Sequence, residues 1–134
     1  MDIIKLHVFS TAILTGSIWV IQLIHYPAFG YIENKLFKSF MALHIRGIML
    51  FVFPVMVIEI STGTYLLTQG YNSSSFVYAM VVLYMIWLST VLIFSRYHSK
   101  LKENKESEII YKLVKYNWLR TIGWISRLIL LFMI

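Results

Sequence analysis

The sequence predicts an all-α integral membrane protein, a four-span antiparallel bundle with a short interfacial helix before the second span. Three observations carry the prediction. The 134 residues are 59% hydrophobic, with a mean hydropathy of +0.73 and only 13% charged residues, about half the roughly 25% usual in soluble domains. Four segments approach the about 20 mainly apolar residues that a helix needs to cross a bilayer. Of the twelve Lys and Arg residues, all but Lys5, Arg120 and Arg127 fall in two short stretches, 26–46 and 96–116.

The first span is read at residues 3–24. It is too long for a signal-peptide core and has neither a basic leading region nor a small-residue cleavage site, so it is expected to be retained. Pro27 is expected to end or bend it. The following connection carries Glu33, Lys35, Lys38 and Arg46. Within it Leu36, Phe37, Phe40, Met41 and Leu43 recur at near-helical spacing, the pattern of an amphipathic helix in the interface, continuous with the second span. That span is read at 47–68. An uncharged turn, 69–74, leads to a third span at 75–95. Residues 96–116 mix Lys with Glu and read as a solvated helical loop, and the fourth span is 117–134. There is no internal repeat and no low-complexity segment, so residues 1–134 form one domain.

The first and third connections share a side of the membrane. Their cations make that side cytoplasmic, with both termini outside. The formal charge of +6 points to the anionic lipid leaflet rather than to nucleic acid, because the cations flank apolar spans. The absence of cysteine excludes disulfides, thiolate-bound zinc and iron–sulfur clusters. No nucleophile elbow, phosphate-cradling glycine loop or carboxylate pair supports hydrolase chemistry.

Each span carries polar residues that a bilayer discourages, and at about 100° per residue they fall on single faces. The stripes are His7, Thr11, Thr15, Gln22 and His25; His44, Glu59 and Thr62; Tyr84, Trp87, Ser95 and His98; and Asn117, Arg120, Trp124 and Arg127. Glu59 lies roughly 18 Å and Arg127 roughly 15 Å into their spans, depths that overlap near the midplane. Charges at such depth normally face the bundle interior and pair. Two readings stand: an ion pair that fixes helix register, or a catalytic site in which Glu59 handles a proton and Arg127 holds an anion. His25, His44 and His98 gather at the cytoplasmic end with Gln22, Asn117 and Arg120 nearby. Neutral imidazoles from different helices can ligate a metal or a haem, and His25 and His44, each on its helix's polar face, are the candidate ligands. Trp124 is a candidate for lining the same site.

The runs WVIQLIHYPAF (19–29), HIRGIMLFVFPVMVIE (44–59) and NWLRTIGWISR (117–127) look like a family of small bacterial four-span membrane proteins. Those proteins share Q-x-x-x-YP-x-F, H-x-R…P-x-M-x-x-E and NW-x-RT-x-x-W-x-x-R over essentially the whole chain. The resemblance implies the same fold and the bacterial cytoplasmic membrane, and brings no activity with it. Residues 6–27, with an early His and a Gly, are also similar to HemJ-type protoporphyrinogen oxidases and to anthrone-oxygenase-like four-helix proteins, with His25-Tyr26 standing where the HemJ pattern ends in Tyr-His. That likeness implies a haem or porphyrin-type ligand. Together these expectations describe a membrane redox protein. His25 and His44 bind haem or a metal ion, with Gln22, Asn117, Arg120 and Trp124 around the cofactor and Glu59 and Arg127 in the chemistry. The alternatives are a structural or accessory subunit of a homo-oligomer or larger membrane complex, and an oxygenase-like or binding protein for an apolar small molecule.

Overall fold

The computed structural model describes residues 2–134, and four helices carry nearly all of them. These are α1 (Ile3–Tyr31), α2 (Asn34–Thr68), α3 (Ser74–Glu103) and α4 (Ser107–Leu131). The first three, at 29, 35 and 30 residues, are long and apolar enough to cross a membrane. Their apolar surface faces outward. In its most apolar stretch only 22% of α2 is buried against the rest of the chain, and Leu50, Phe51, Met85 and Leu88 all point away from it. Exposed apolar surface on that scale is compatible with a lipid surrounding. α4 is 25 residues long; its last two-thirds hold Lys115, Arg120 and Arg127, which set it apart from the other three in composition. Both arginines are nonetheless buried.

The helix ends follow local chemistry. The Asp2 carboxylate accepts from the Ile4 amide at the start of α1, and the Ser73 hydroxyl accepts from the Phe76 amide at the start of α3. α2 ends at Thr68 and is closed by Gly70, whose φ of +87° permits a Schellman closure: the Tyr71 amide donates to the Leu66 carbonyl and that of Gly70 to the Leu67 carbonyl. The amphipathic segment is continuous with the second long apolar helix, as its spacing predicts. Residues 34–47 are the first turns of α2, burying Phe37, Met41 and His44 and exposing Lys35, Lys38 and Leu43. The solvated loop is also shorter than its composition suggests. α3 runs on to Glu103, and only residues 104–106 separate it from α4.

Pro27 does not end α1. The helix widens into a π turn at Ile21–His25 and continues past the proline to Tyr31. α2 repeats the device, with a π turn at Ile48–Val52 ahead of Pro54. A proline ring clashes with the carbonyl four residues earlier and cannot donate to it; a wider turn relieves the clash without breaking the rod. α3 has a π turn at Thr90–Phe94 without a proline. There the Ser89 and Thr90 hydroxyls both donate to the Ile86 carbonyl, a side-chain competition known to bend helices.

α1 packs on α2 and on α4, and α4 packs on α3. α2 and α3 meet mainly toward their ends: Gly63 approaches Met80 and the Thr64 and Tyr84 hydroxyls bond at 3.0 Å, while the start of α2 touches the end of α3. Between these contacts the two helices part, and all three π turns contribute residues to the gap. At the basic end, Lys105 donates to the Gly30 and Ile32 carbonyls at 3.0 and 2.6 Å, which ties the first and third connections together.

At Gly63 an added Cβ would lie 2.5 Å from Met80 Sδ and 2.6 Å from His7 Cε1. Gly63→Ala is therefore expected to destabilise the bundle by about 1–3 kcal/mol through overpacking. At Gly16 the same change meets nothing within 4 Å and should be neutral or stabilising. Thermal unfolding of both variants in one detergent checks the contrast.

Candidate functional site

The deepest polar cluster joins all four helices. Arg127 of α4 and Glu59 of α2 form an ion pair with both side chains fully buried. Glu59 Oε1 also accepts from Thr11 Oγ1 at 2.7 Å, and Oε2 from Trp124 Nε1 at 3.3 Å. Arg127 Nε donates to the Ala79 carbonyl of α3 at 2.8 Å. His7 completes the set. Its Nδ1 donates to the Glu59 carbonyl at 3.0 Å, which leaves Nε2 to accept from Arg127 Nη2 at 3.3 Å. No polar atom of these side chains is left buried without a partner, and none of them lines a cleft. The sequence placed His7 at a helix end; its spacing of four from Thr11 on one stripe was the signal for its partnership.

Gln22 and Asn117 form a second cluster. Asn117 Nδ2 donates to Gln22 Oε1 at 2.9 Å, Thr121 Oγ1 donates to the same oxygen at 3.2 Å, and Gln22 Nε2 donates to the Val114 carbonyl at 3.1 Å. This is a clamp between α1 and α4. Neither residue reaches the clefts or the histidines, so the grouping expected from sequence separates into two.

The three histidines do meet. His25 Nε2 lies 2.6 Å from His44 Nδ1, His44 Nε2 lies 2.9 Å from His98 Nε2, and His98 Nδ1 donates to the Phe94 carbonyl at 2.7 Å. They form a row, not a converging set. His44 uses its two nitrogens on two different partners, and among the described residues no group of three or more His, Cys, Asp or Glu is arranged to hold a metal. A haem iron or zinc needs its ligand lone pairs aimed at one point about 2 Å from each nitrogen. His25 and His44 aim at each other instead, so the pair as placed does not fit the haem or metal that the sequence suggested.

Beside the row lies the gap between α2 and α3, a cleft of about 320 Å³, within the range of small-molecule sites. Ile45, Ile48, Met49, Val52, Phe53 and Met56 of α2 make it apolar, and Tyr26, His44, His98 and Arg120, one from each helix, form its polar wall. Tyr26, read from sequence as an interfacial aromatic, is 3% exposed and stands beside Arg120. The Arg120 guanidinium lies 4.3 Å from the Phe94 ring centroid and 5.4 Å from that of Trp124, a cation–π cradle. Among the described residues it has no carboxylate partner, and its buried Nε donates to nothing. Trp124 supports Arg120 from beneath and does not line the cleft. A second cleft of about 470 Å³ opens between α1 and α2, where His25 and His44 both reach.

Removing one partner of a buried ion pair strands the other charge, at a cost of about 3–5 kcal/mol. Glu59→Gln and Arg127→Met are each expected to destabilise by that order. The double variant should lose less than the sum of the two, with unfolding midpoints in one detergent as the measure. No family model matches the chain, and no curated protein or solved structure is found similar to it.

Proposed function

We propose that this chain is a four-span protein of the bacterial cytoplasmic membrane that binds an apolar small molecule carrying one anionic group, in the cleft between α2 and α3. A single observation carries the reading. Arg120 is a buried cation with no carboxylate and an unpartnered Nε, set in the polar wall of a cleft whose α2 side is apolar and which Lys102 also lines. A buried charge without a counterion is costly, and a carboxylate or enolate on the ligand would face the guanidinium from the cleft, beside Tyr26, as the acceptor of a charge-assisted hydrogen bond. The hydroxyl of Tyr26 and the imidazoles of His44 and His98 flank the same position. No carboxylate lines the cleft, so an anion is favoured over a cation.

Four spans are supported by length and by charge placement. At 25 residues, α4 is about 37 Å long, enough for a hydrocarbon core of about 30 Å, and its two deep arginines are covered by the other helices. The orientation, with both termini outside, is supported by Lys35, Lys38, Lys102 and Lys105, which surround one polar hollow where α2 begins and α3 ends. In this reading Glu59 and Arg127 hold the helices in register, and the row of histidines adjoins the ligand without ligating a metal.

Mass spectrometry of lipid extracts tests the binding reading. An acidic apolar compound should co-purify with the wild type and fall roughly tenfold to a hundredfold in Arg120→Met, the loss of one hydrogen bond to a charged group. Extracts holding bulk phospholipid alone, with the chain instead purifying inside a larger complex, would favour an accessory subunit. Because the chain has no cysteine, single substitutions report topology directly. A membrane-impermeant maleimide on intact spheroplasts should label Gln69→Cys and spare Lys38→Cys and Lys102→Cys.

A further inference from the structure

We propose that His25, His44 and His98 form a proton relay that carries a proton across α2, from the α1–α2 cleft to the polar wall of the α2–α3 cleft. The placement is the first reason. His25 lines the α1–α2 cleft, His98 lines the α2–α3 cleft, and His44 lines both. The row therefore joins two clefts that α2 otherwise separates.

The second reason is that one carbonyl fixes the polarity of the whole row. The Phe94 carbonyl can only accept, so His98 Nδ1 carries a hydrogen. Neutral His98 then presents a lone pair at Nε2, and His44 Nε2 must be the donor across 2.9 Å. The two ring planes differ by only 14°, and nitrogens at 2.9 Å are closer than stacked ring faces can approach. The contact is therefore edge to edge, with the N–H aimed along the lone pair. His44 in turn presents its lone pair at Nδ1, and His25 Nε2 donates to it across 2.6 Å. Three donors point the same way. The one ring nitrogen of the row without a partner in the described chain is His25 Nδ1, at the α1–α2 side.

Transfer balances without electrons. A proton from water adds to His25 Nδ1. The His25 Nε2–H bond breaks as His44 Nδ1–H forms, and the His44 Nε2–H bond breaks as His98 Nε2–H forms. One proton enters and one imidazolium results, on His98. The groups that face the row are Tyr26 of α1, Phe29 of α1 and Phe40 of α2, Arg120 of α4, and Lys102 and Ser99 of α3 at the cleft. No carboxylate lines either cleft. The new positive charge thus stands beside Arg120 with an anionic ligand as its natural counterion, so ligand binding and proton uptake would favour each other. That coupling rests on the ligand reading above; the relay does not.

The test is ¹⁵N NMR of the full chain, ring-labelled at histidine, in nanodiscs of mixed phosphatidylcholine and phosphatidylglycerol. At high pH the relay requires hydrogen on Nε2 of His25, Nε2 of His44 and Nδ1 of His98. On acidification, His25 and His98 should titrate with a common midpoint, and His44→Phe should separate the two while His7, held by the Glu59 carbonyl, stays in place. Hydrogen on His44 Nδ1 or His98 Nε2 at high pH would overturn the proposal, and needs no variant to detect. So would midpoints of His25 and His98 that His44→Phe leaves unchanged. Dodecanoate, an apolar carboxylate, then serves as the ligand probe. A raised common midpoint supports the coupling, whereas the required tautomers with no dodecanoate response remove the ligand reading and leave the relay standing.

Discussion

The ion pair between Glu59 and Arg127 is the constraint on which the rest of the bundle depends. Neither charge is tolerable alone at membrane depth, so each requires the other and each requires its remaining hydrogen-bonding groups to be met. Those groups are met by Thr11 and His7 of α1, Trp124 of α4 and the Ala79 carbonyl of α3. Four helices are thereby held at one level and in one rotation. Gly63 belongs to the same constraint. Its missing side chain lets α2 come close enough to His7 and Met80 for the network to close. In lipid, apolar packing alone gives helices weak mutual preference, because the tails are as apolar as leucine. Small residues and interior hydrogen bonds supply what selects one arrangement.

With that level fixed, the three π turns decide what happens below it. Each inserts about one residue into its helix and so turns the remainder by about 100° relative to a straight rod. In α1 the turn itself carries Gln22 and His25, beyond the part that serves Glu59. In α2 it separates His44 from Glu59. The same turns stand around the gap between α2 and α3. The register lock and the cleft are thus adjacent parts of one bundle with different rotations, and a local backbone irregularity lets one sequence satisfy both.

This also explains what the sequence could and could not convey. The three long apolar helices, their outward apolar faces and the meeting of Glu59 with Arg127 follow from hydropathy and a fixed rise per residue, so they are legible in the sequence. The stripe from His7 to His25 assumes an uninterrupted period of 3.6. It divides at Ile21: His7 and Thr11 go to the ion pair, Gln22 to Asn117, and His25 to His44. Pro27 and Pro54 were visible, but a proline signals a broken helix and a widened one equally well. The relation of His98 to His44 depends on the tilt of α3 against α2, to which no local spacing corresponds. The haem expectation rests on the likeness of residues 6–27 to haem-linked four-helix proteins and on histidines sharing an end of the bundle. Sharing an end is compatible with convergence on a metal and with a hydrogen-bonded row, and only the ring nitrogens distinguish the two.

The contrast between the two deep arginines of α4 is the strongest pointer to where the chain meets something other than itself. Arg120 and Arg127 are seven residues apart, which is two turns and about 10 Å along one face. Both are buried in the same helix, and the desolvation cost of each charge is of the same kind. Yet the fold directs its one deeply buried carboxylate, a tryptophan donor, a threonine and a histidine to the cluster at Arg127, and gives Arg120 only aromatic faces and a tyrosine. If Arg120 served packing alone, a methionine or leucine would fill the same volume without the charge, and such replacements commonly match or exceed the stability of buried ionic groups. A lone cation retained against an apolar cleft is better explained by an acceptor that the chain does not contain. On the proposed reading, the cleft's size, its apolar α2 wall and its open side between α2 and α3 suit a small, largely apolar anion as the carrier of that acceptor.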